Sequence, residues 1–134
     1  MSKTSRGRQI TGWVLTALLS ALFLASASGK LLHAAQVMEP MQKWGLEDQV
    51  TLIGVGEAVS ALLFLIPRTH SLGLLLLTAY MGGAIVTHMQ HGESYVSQSI
   101  ILVLIWVAGF LRHTQVLQSF FPAPRVKAEY STND

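Results

Sequence analysis

Six side chains that could carry out binding or proton-transfer chemistry stand inside or beside long apolar stretches of this sequence. They are Lys30, Glu57, Tyr80, His88, His91 and Glu93. A charged group costs roughly 3 kcal/mol at the centre of a bilayer and is rare there without a partner or a function. A carboxylate, an ammonium group and imidazoles in one place can bind a polar ligand or move protons. We predict that these six residues form a polar pocket near the extracytoplasmic surface of a membrane.

The acid Glu57 is the only charged residue between positions 49 and 67. Glycines lie close to it in the sequence, and small residues allow another helix to approach closely. Its carboxyl group can therefore be a buried structural acid, a proton acceptor or a ligand contact. The ammonium group of Lys30 can extend to the membrane surface, or it can serve as the counter-ion of Glu57 or bind an anion.

His88 and His91 lie one helical turn apart and share a helix face. Such a pair can bind a metal, with Glu57 or His33 completing the site. It can also relay protons at neutral pH. A third possibility is a structural role, in which the two histidines stabilise the turn that follows the helix. Because the pair alone is not a zinc or haem signature, we predict no metal site. Tyr80 lies two turns before His88 and can line the same pocket or pack as an ordinary aromatic residue.

The composition indicates that the elements positioning these residues lie in a membrane. Hydrophobic residues make up 51% of the 134 residues and charged residues only 12%, against about 25% charged in an average soluble domain. The nine Lys and Arg residues gather toward the termini, so the chain has no phosphate-binding face for nucleic acid. The absence of cysteine from the sequence excludes disulfides, thiolate metal sites and thiol redox chemistry within this chain.

Four apolar runs set the fold class. Each is about as long as the ~20 residues that a helix needs to cross a hydrocarbon core of ~30 Å. Their continuous, non-alternating pattern is not that of membrane-barrel strands. The pair Gly82-Gly83 predicts a close contact between helices. We predict transmembrane helices at 11–31, 49–66, 71–90 and 95–112.

The connections between these runs predict the architecture. Short links at 67–70 and 92–94 make sequential helices antiparallel neighbours. The one long connection, 32–48, has apolar residues at helical spacing and carries Trp44, so it can be a short helix at the membrane interface or an ordered loop. We predict an all-α, integral membrane four-helix up-down bundle with a short interfacial helix between helices 1 and 2.

The distribution of basic residues predicts the orientation in the cell membrane (inner or plasma membrane). Seven of them fall on one side, namely Lys3, Arg6, Arg8, Arg68, Arg112, Arg125 and Lys127. Lys30 and Lys43 fall on the other side. Because cytoplasmic segments are enriched in Lys and Arg, we expect both termini in the cytoplasm. The domains are then a cytoplasmic N-terminus at 1–10, a four-helix domain at 11–112 and a flexible cytoplasmic tail at 113–134.

The first segment also fits a second interpretation, a secretory signal peptide. Basic residues precede an apolar stretch, and Ala25-Ser26-Ala27 resembles a cleavage site. The uncharged run is nevertheless long enough to span a bilayer, which favours a membrane helix.

Three motifs in a fixed order resemble a known family. Ser28-Gly29-Lys30-Leu31 ends the first helix, Gly54-x-x-Glu57 with Leu65-Ile66-Pro67-Arg68 forms the second, and Gly83-Ala84-x-x-Thr87-His88-x-x-His91-Gly92-Glu93 ends the third. Over residues 10–113 they resemble the DoxX-like family of small four-helix integral membrane proteins. The resemblance implies the four-helix membrane fold. It also implies a link to redox proteins, because the family name derives from a subunit of a membrane thiosulfate:quinone oxidoreductase.

Two hypotheses of function remain open at this point. In the first, the chain is a redox component, such as a subunit of a membrane oxidoreductase, and a quinone meets Lys30, Glu57, Tyr80 or His88 between the helices. In the alternative, it is a non-catalytic assembly or accessory protein whose polar group stabilises the bundle. Besides bilayer lipid, its partners would be a second copy of the chain or a redox protein. Transport is the weakest hypothesis, because the sequence shows no inverted repeat or broken helix pair.

Overall fold

The protein is described by a computed structural model over residues 6–113. Within this range the chain forms five α-helices: α1 (Arg6–Leu31), α2 (Ala35–Lys43), α3 (Val50–Leu65), α4 (His70–Gln90) and α5 (Val96–Arg112). One 3-10 turn, Glu47–Gln49, leads into α3. No strand occurs in residues 6–113, so the all-α prediction is confirmed for this part of the chain. The predicted tail lies outside the described residues except for His113.

Three of these helices are long and apolar enough to cross a membrane. They are α1, α3 together with its preceding 3-10 turn, and α4, whereas the apolar helix α5 is shorter, at 17 residues. Large apolar side chains cover the outward faces, among them Leu18, Leu52 and Leu75, which are 64%, 73% and 63% exposed. Lipid tails can cover such a surface, whereas exposing it to water is unfavourable. The chain therefore has the surface of a membrane protein.

The helix bounds follow the apolar runs except at the start of α1. The ends of α3, α4 and α5 fall within one residue of the prediction, but α1 begins at Arg6 rather than at residue 11. Arg and Gln are good helix formers, so the helix extends beyond the apolar run. It also continues unbroken through the segment that resembles a cleavage site, where Ala27 is buried against α3.

The four long helices pack as a ring in which each lies mainly against two neighbours. α1 lies against α3 and α5, and α4 lies against the same two helices. Phe23, Phe64 and Ile105 are among the buried residues that meet at the centre. Gly12, near the start of α1, lies against Leu111, near the end of α5, where a Cβ atom on the glycine would be 2.9 Å from that of the leucine. These two neighbours therefore run antiparallel.

The tightest helix contact joins the start of α4 to the end of α3. A Cβ atom built on Gly73 would lie 2.1 Å from the backbone nitrogen of Phe64 and 2.4 Å from its Cα, so only glycine fits there. The close contact predicted at Gly82-Gly83 is wrong, because a Cβ atom on either glycine would meet no described atom of another element within 4 Å. Without side chains at these two positions, α4 is narrow here, and no other described element packs against it.

The long connection forms the helix α2, so the prediction of a helix in this segment is confirmed. Met41 is buried, while Glu39, Gln42 and Lys43 are exposed, which makes α2 amphipathic. Its position at a membrane interface stays a prediction.

Candidate functional site

A buried ion pair joins the end of α1 to α3. The Lys30 ammonium nitrogen lies 2.7 Å from Oε2 of Glu57 and 2.7 Å from Oγ of Ser26. Lys30 and Glu57 are only 6% and 1% exposed. Gly54 permits this approach, because a Cβ atom there would lie 3.0 Å from the Lys30 Cβ. Each charge depends on the other, since leaving one charge of a buried pair alone costs about 3–5 kcal/mol.

Tyr80, on α4, faces this ion pair. Its ring centroid lies 5.9 Å from the Lys30 nitrogen, within the ~6 Å over which a cation is attracted to an aromatic ring. Phe23 meets the Tyr80 ring edge to face, with the centroids 6.1 Å apart. Tyr80 is thus both a packed aromatic residue and a neighbour of the buried charges.

His88, two turns further along α4, is held by three neighbours. Its Nδ1–H donates to the Ala84 carbonyl oxygen at 2.8 Å, which leaves Nε2 as the acceptor of the neutral ring. The side-chain amide of Gln98, on α5, donates to Nε2 at 3.0 Å. The Trp44 ring lies against the imidazole with the centroids 4.9 Å apart. The ring orientation is therefore fixed from α4, α5 and the end of α2.

One cavity of about 580 Å³ is lined by Lys30, Glu57, Tyr80 and His88. Its other lining residues are mostly apolar and come from all five helices, and Trp44, the residue that follows α2, also lines it. The arrangement places a few polar groups within an otherwise apolar space. Sites for small organic ligands typically have this character.

The cavity is open at the surface of the helix ring. Leu22 on α1 lines it and is 49% exposed. Ala79 and Gly83 on α4 also line it and are exposed. Lipid tails rather than water would cover any part of such an opening that lies within a hydrocarbon core.

Comparison with known protein families shows the family of this chain. The model of the DoxX-like family matches residues 14–111. The chain belongs to the DoxX-like family. The match confirms the resemblance seen in the motifs, and it includes Lys30, Glu57, Tyr80 and His88. Neither the curated proteins nor the solved structures contain a match to this DoxX-like chain.

His91 and Glu93, the two other predicted site residues of this DoxX-like protein, do not line the cavity. Glu93 pairs with Lys43 at the end of α2, and the Lys43 ammonium holds the pKa of the Glu93 carboxyl below its usual value. Glu93 Oε2 also lies 4.0 Å from His88 Nε2. His91 is exposed, and its Nδ1–H donates to the Thr87 carbonyl at 2.8 Å. Glu93 thus anchors the helix that forms one cavity wall.

Within the described part of this DoxX-like chain, His88 and His91 do not come together with a third possible metal ligand. Among residues 6–113, no group of three or more His, Asp or Glu side chains is placed so that it could hold a metal ion. His33 instead contacts Oγ1 of Thr51 at 3.3 Å. The Nδ1 atoms of His88 and His91 both face backbone carbonyls of α4.

A second buried polar cluster lies at the opposite end of this DoxX-like fold. Nη1 of Arg112 donates to the Phe64 carbonyl at 3.0 Å, and Nη2 donates to the Leu65 carbonyl at 3.4 Å. The guanidinium carbon lies 3.9 Å from the centroid of the Trp13 ring. Nδ1 of buried His70 lies 2.7 Å from the same Phe64 oxygen. Because the last carbonyls of a helix lack partners within it, Arg112 caps the C-terminus of α3.

Sequence reasoning missed this cluster. In the sequence, Arg112 is only one of the basic residues expected on the cytoplasmic side, and His70 belongs to the link before the third predicted helix. An arginine that ends an apolar helix can reach the carbonyl groups of another helix that finishes at the same end of the bundle. Using that signal requires knowing which helices are neighbours, which the sequence alone does not establish.

Proposed function

We propose that the four long helices all cross the bilayer as an up-down bundle with both termini in the cytoplasm. The 17 residues of α5 give about 26 Å of helix, close to the ~30 Å of a hydrocarbon core. Arg8 and Arg112 bond to backbone at one end of the ring, and Arg68 lies in the link at that end. Such an excess of arginine is typical of the cytoplasmic side of a cell-membrane protein.

Within this bundle, we propose that the cavity binds an amphiphilic quinone and that the protein is a redox-linked membrane component. One observation carries the proposal: four polar residues on three helices, Lys30, Glu57, Tyr80 and His88, line a single, mostly apolar cavity. Its volume of about 580 Å³ falls within the roughly 300–1,000 Å³ of small-molecule sites. The polar side chains can bond to the oxygen substituents of a quinone head group, and the apolar walls can contact its alkyl tail.

A bound quinone would supply two-electron redox chemistry, while the residues of this chain orient it and hold protons. His88 presents an Nε2 atom that accepts a hydrogen bond from Gln98 at 3.0 Å, so the imidazole can exchange this contact for a ligand hydroxyl. Tyr80 can donate its hydroxyl proton in a hydrogen bond to a ligand oxygen. The ion pair of Lys30 and Glu57 keeps a titratable acid and base at the same cavity.

The test is titration of a decyl-chain quinone analogue against purified protein in lipid nanodiscs, followed by tryptophan fluorescence. We expect saturable binding to the wild type and at least about tenfold weaker binding to Glu57→Gln. Glu39→Gln is the matched control, because Glu39 is exposed on α2 and does not line the cavity. Circular dichroism verifies that each variant is folded. Absence of saturable binding in both the wild type and Glu57→Gln would refute the proposal.

A second candidate function is that of a non-catalytic assembly or accessory protein. It is favoured by the ion pair itself, since Lys30 is already satisfied by Glu57 and Ser26 and the contact joins α1 to α3. In this case the polar group stabilises the bundle, and a partner membrane protein or a second copy packs on its apolar faces. Gentle affinity purification should then recover a partner. Recovery of this chain alone, with normal membrane complexes in a deletion strain, would count against it.

A further inference from the structure

The cavity contains two charged side chains that neutralise each other. Among its lining residues only Lys30 and Glu57 carry a formal charge when His88 is neutral. Their nitrogen and oxygen atoms lie 2.7 Å apart, and the other hydrogen bond of Lys30 goes to the neutral Ser26 hydroxyl. The cavity lining therefore has no net charge.

The neighbouring polar groups supply no additional charge. Both ring nitrogens of neutral His88 are used, Nδ1 by the Ala84 carbonyl and Nε2 by the amide of Gln98. The Glu93 carboxylate, 4.0 Å from His88 Nε2, is itself paired with Lys43. An anion or a cation inside this cavity would meet no opposite charge that is still free to bind it.

This balance determines which head groups can leave water for the cavity. Burying a charge that finds no partner is far more costly than burying a neutral group that can hydrogen-bond. Uncharged polar side chains remain in the lining, among them Gln36, Thr87 and Gln98. We propose that the cavity selects amphiphiles with an uncharged, hydrogen-bonding head group and discriminates against anionic and cationic ones. This inference rests on the proposed function of the cavity as an amphiphile site and defines the chemical class that it accepts.

The exposed stretch of α4 at Ala79 and Gly83 offers space for the tail of such a ligand. Gly83 and Ala79 line the cavity and are exposed, and a Cβ atom on Gly83 would meet no described atom of another element within 4 Å. The tail can therefore pass between the cavity and the surrounding lipid at this point of α4. A water-soluble ligand has no alkyl tail that would lie there.

The selectivity is measured with three brominated alkyl chains of equal length that end in a hydroxyl, a sulfate or a trimethylammonium group. Trp44 lines the cavity, so a variant that carries Trp13→Phe and Trp106→Phe reports contact through quenching of Trp44 by bromine. In phosphatidylcholine nanodiscs we expect saturable quenching by the alcohol. The two charged probes should require at least about tenfold higher concentrations for half-saturation.

Changing the charge of the cavity should change the preferred head group. Glu57→Gln leaves the Lys30 ammonium without its carboxylate and should move the preference toward the sulfate probe. Gln36→Lys adds a positive charge to the lining without breaking the ion pair, and it should shift the preference in the same direction. Gln42→Lys is the matched control, because Gln42 is exposed on the same helix and does not line the cavity.

The outcomes separate this inference from the proposal on which it rests. Saturable binding of all three probes with equal affinity, or tighter binding of a charged probe to the wild-type cavity, would overturn the selectivity and leave the cavity as an amphiphile site. Absence of saturable quenching by every probe and by the quinone analogue would overturn the proposed function itself. An unchanged preference in a folded Gln36→Lys variant would contradict the role of charge balance.

Discussion

At the scale of single residues, the protein satisfies its buried charges with partners from other helices. Lys30 on α1 is paired with Glu57 on α3, and Arg112 on α5 donates to the carbonyl oxygens that end α3. The first contact joins two helices at one end of the helix ring, and the second joins two helices at the opposite end. A charge removed from water is tolerated only with such partners, so the loss of one partner destabilises the fold whatever the role of the residues in ligand binding.

The ion pair gives the first prediction. Lys30→Met or Glu57→Gln should each lower the free energy of unfolding by about 3–5 kcal/mol, because each leaves one buried polar partner without its counterpart. The double variant Lys30→Met/Glu57→Leu should recover most of this loss. The measurement is thermal loss of helicity in detergent micelles.

The exposed pair of Lys43 and Glu93 provides a control for this measurement. Lys43→Met should change the midpoint of thermal unfolding far less than Lys30→Met, because water screens an exposed pair. Single variants at Lys30 and Glu57 that unfold at the wild-type temperature would contradict the account of the ion pair.

At the scale of elements, two contacts determine the shape around the cavity. The start of α4 packs on the end of α3 at Gly73, and the end of α2 is tied to the link between α4 and α5 through Lys43 and Glu93. The first contact fixes the pair of helices that carries Glu57 and Tyr80. The second holds the wall that contains Trp44.

Gly73→Ala should destabilise the pair of α3 and α4. The new Cβ atom would lie 2.1 Å from the Phe64 backbone nitrogen, and because backbone cannot move aside cheaply, we expect a loss of about 1–3 kcal/mol or more. The matched control is Gly82→Ala in the same helix, where the added methyl group meets no described atom of another element within 4 Å. Thermal unfolding of both variants in micelles tests this, and equal midpoints would show that the helices do not pack as described.

The contact between α2 and Glu93 should respond to acid. Because Lys43 lowers the pKa of Glu93 from its usual value of 4.5, the contact is fully present above that value and is lost as the pH falls through the lower pKa of the folded state. Fluorescence of Trp44 in the Trp13→Phe/Trp106→Phe background should change in this acidic range. Lys43→Met has no such ion pair to lose, so its Trp44 fluorescence should change little in this range, and an identical titration in both proteins would show that the ion pair does not hold α2.

The elements could be predicted largely from the sequence, whereas their contacts could not. Long apolar runs, broken only by Glu57 in α3, predicted the bounds of α3, α4 and α5 to within one residue, because the bounds of such helices depend mainly on the length and hydropathy of the run. The contact expected at Gly82-Gly83 was wrong, since small residues indicate a thin helix face without indicating what lies opposite. The cap formed by Arg112 and the cavity shared by Glu57 and His88 depend on which helices are neighbours, and hydropathy does not specify that.

At the scale of the whole molecule, membrane orientation and the cavity are connected. The Lys30–Glu57 pair and the cavity lie toward the end of the ring where α1 finishes, and Arg112 lies at the opposite end. If the arginine-rich end faces the cytoplasm, the cavity lies in the extracytoplasmic half of the bilayer. Any partner that exchanges a ligand with the cavity would then approach from that half or from within the lipid.

The orientation can be tested cleanly because the chain has no cysteine. Ser94→Cys places a thiol in the link between α4 and α5, and Ser71→Cys places one at the start of α4, both at exposed positions. In intact cells we expect a membrane-impermeant maleimide to label Ser94→Cys only, with Ser71→Cys labelled after permeabilisation. The reverse pattern would invert the proposed topology.

The central claim is that the cavity bounded by Lys30, Glu57, Tyr80 and His88 holds an amphiphile. Its most direct test compares binding of the quinone analogue to the wild type, Gly83→Leu and Gly82→Leu in nanodiscs. Both glycines have open space around them, but only Gly83 lines the cavity. We expect Gly83→Leu to raise Kd at least about tenfold, because the leucine occupies the opening, and Gly82→Leu to leave Kd within about twofold of the wild type. Equal affinities in all three proteins, or no saturable binding in any of them, would contradict the claim.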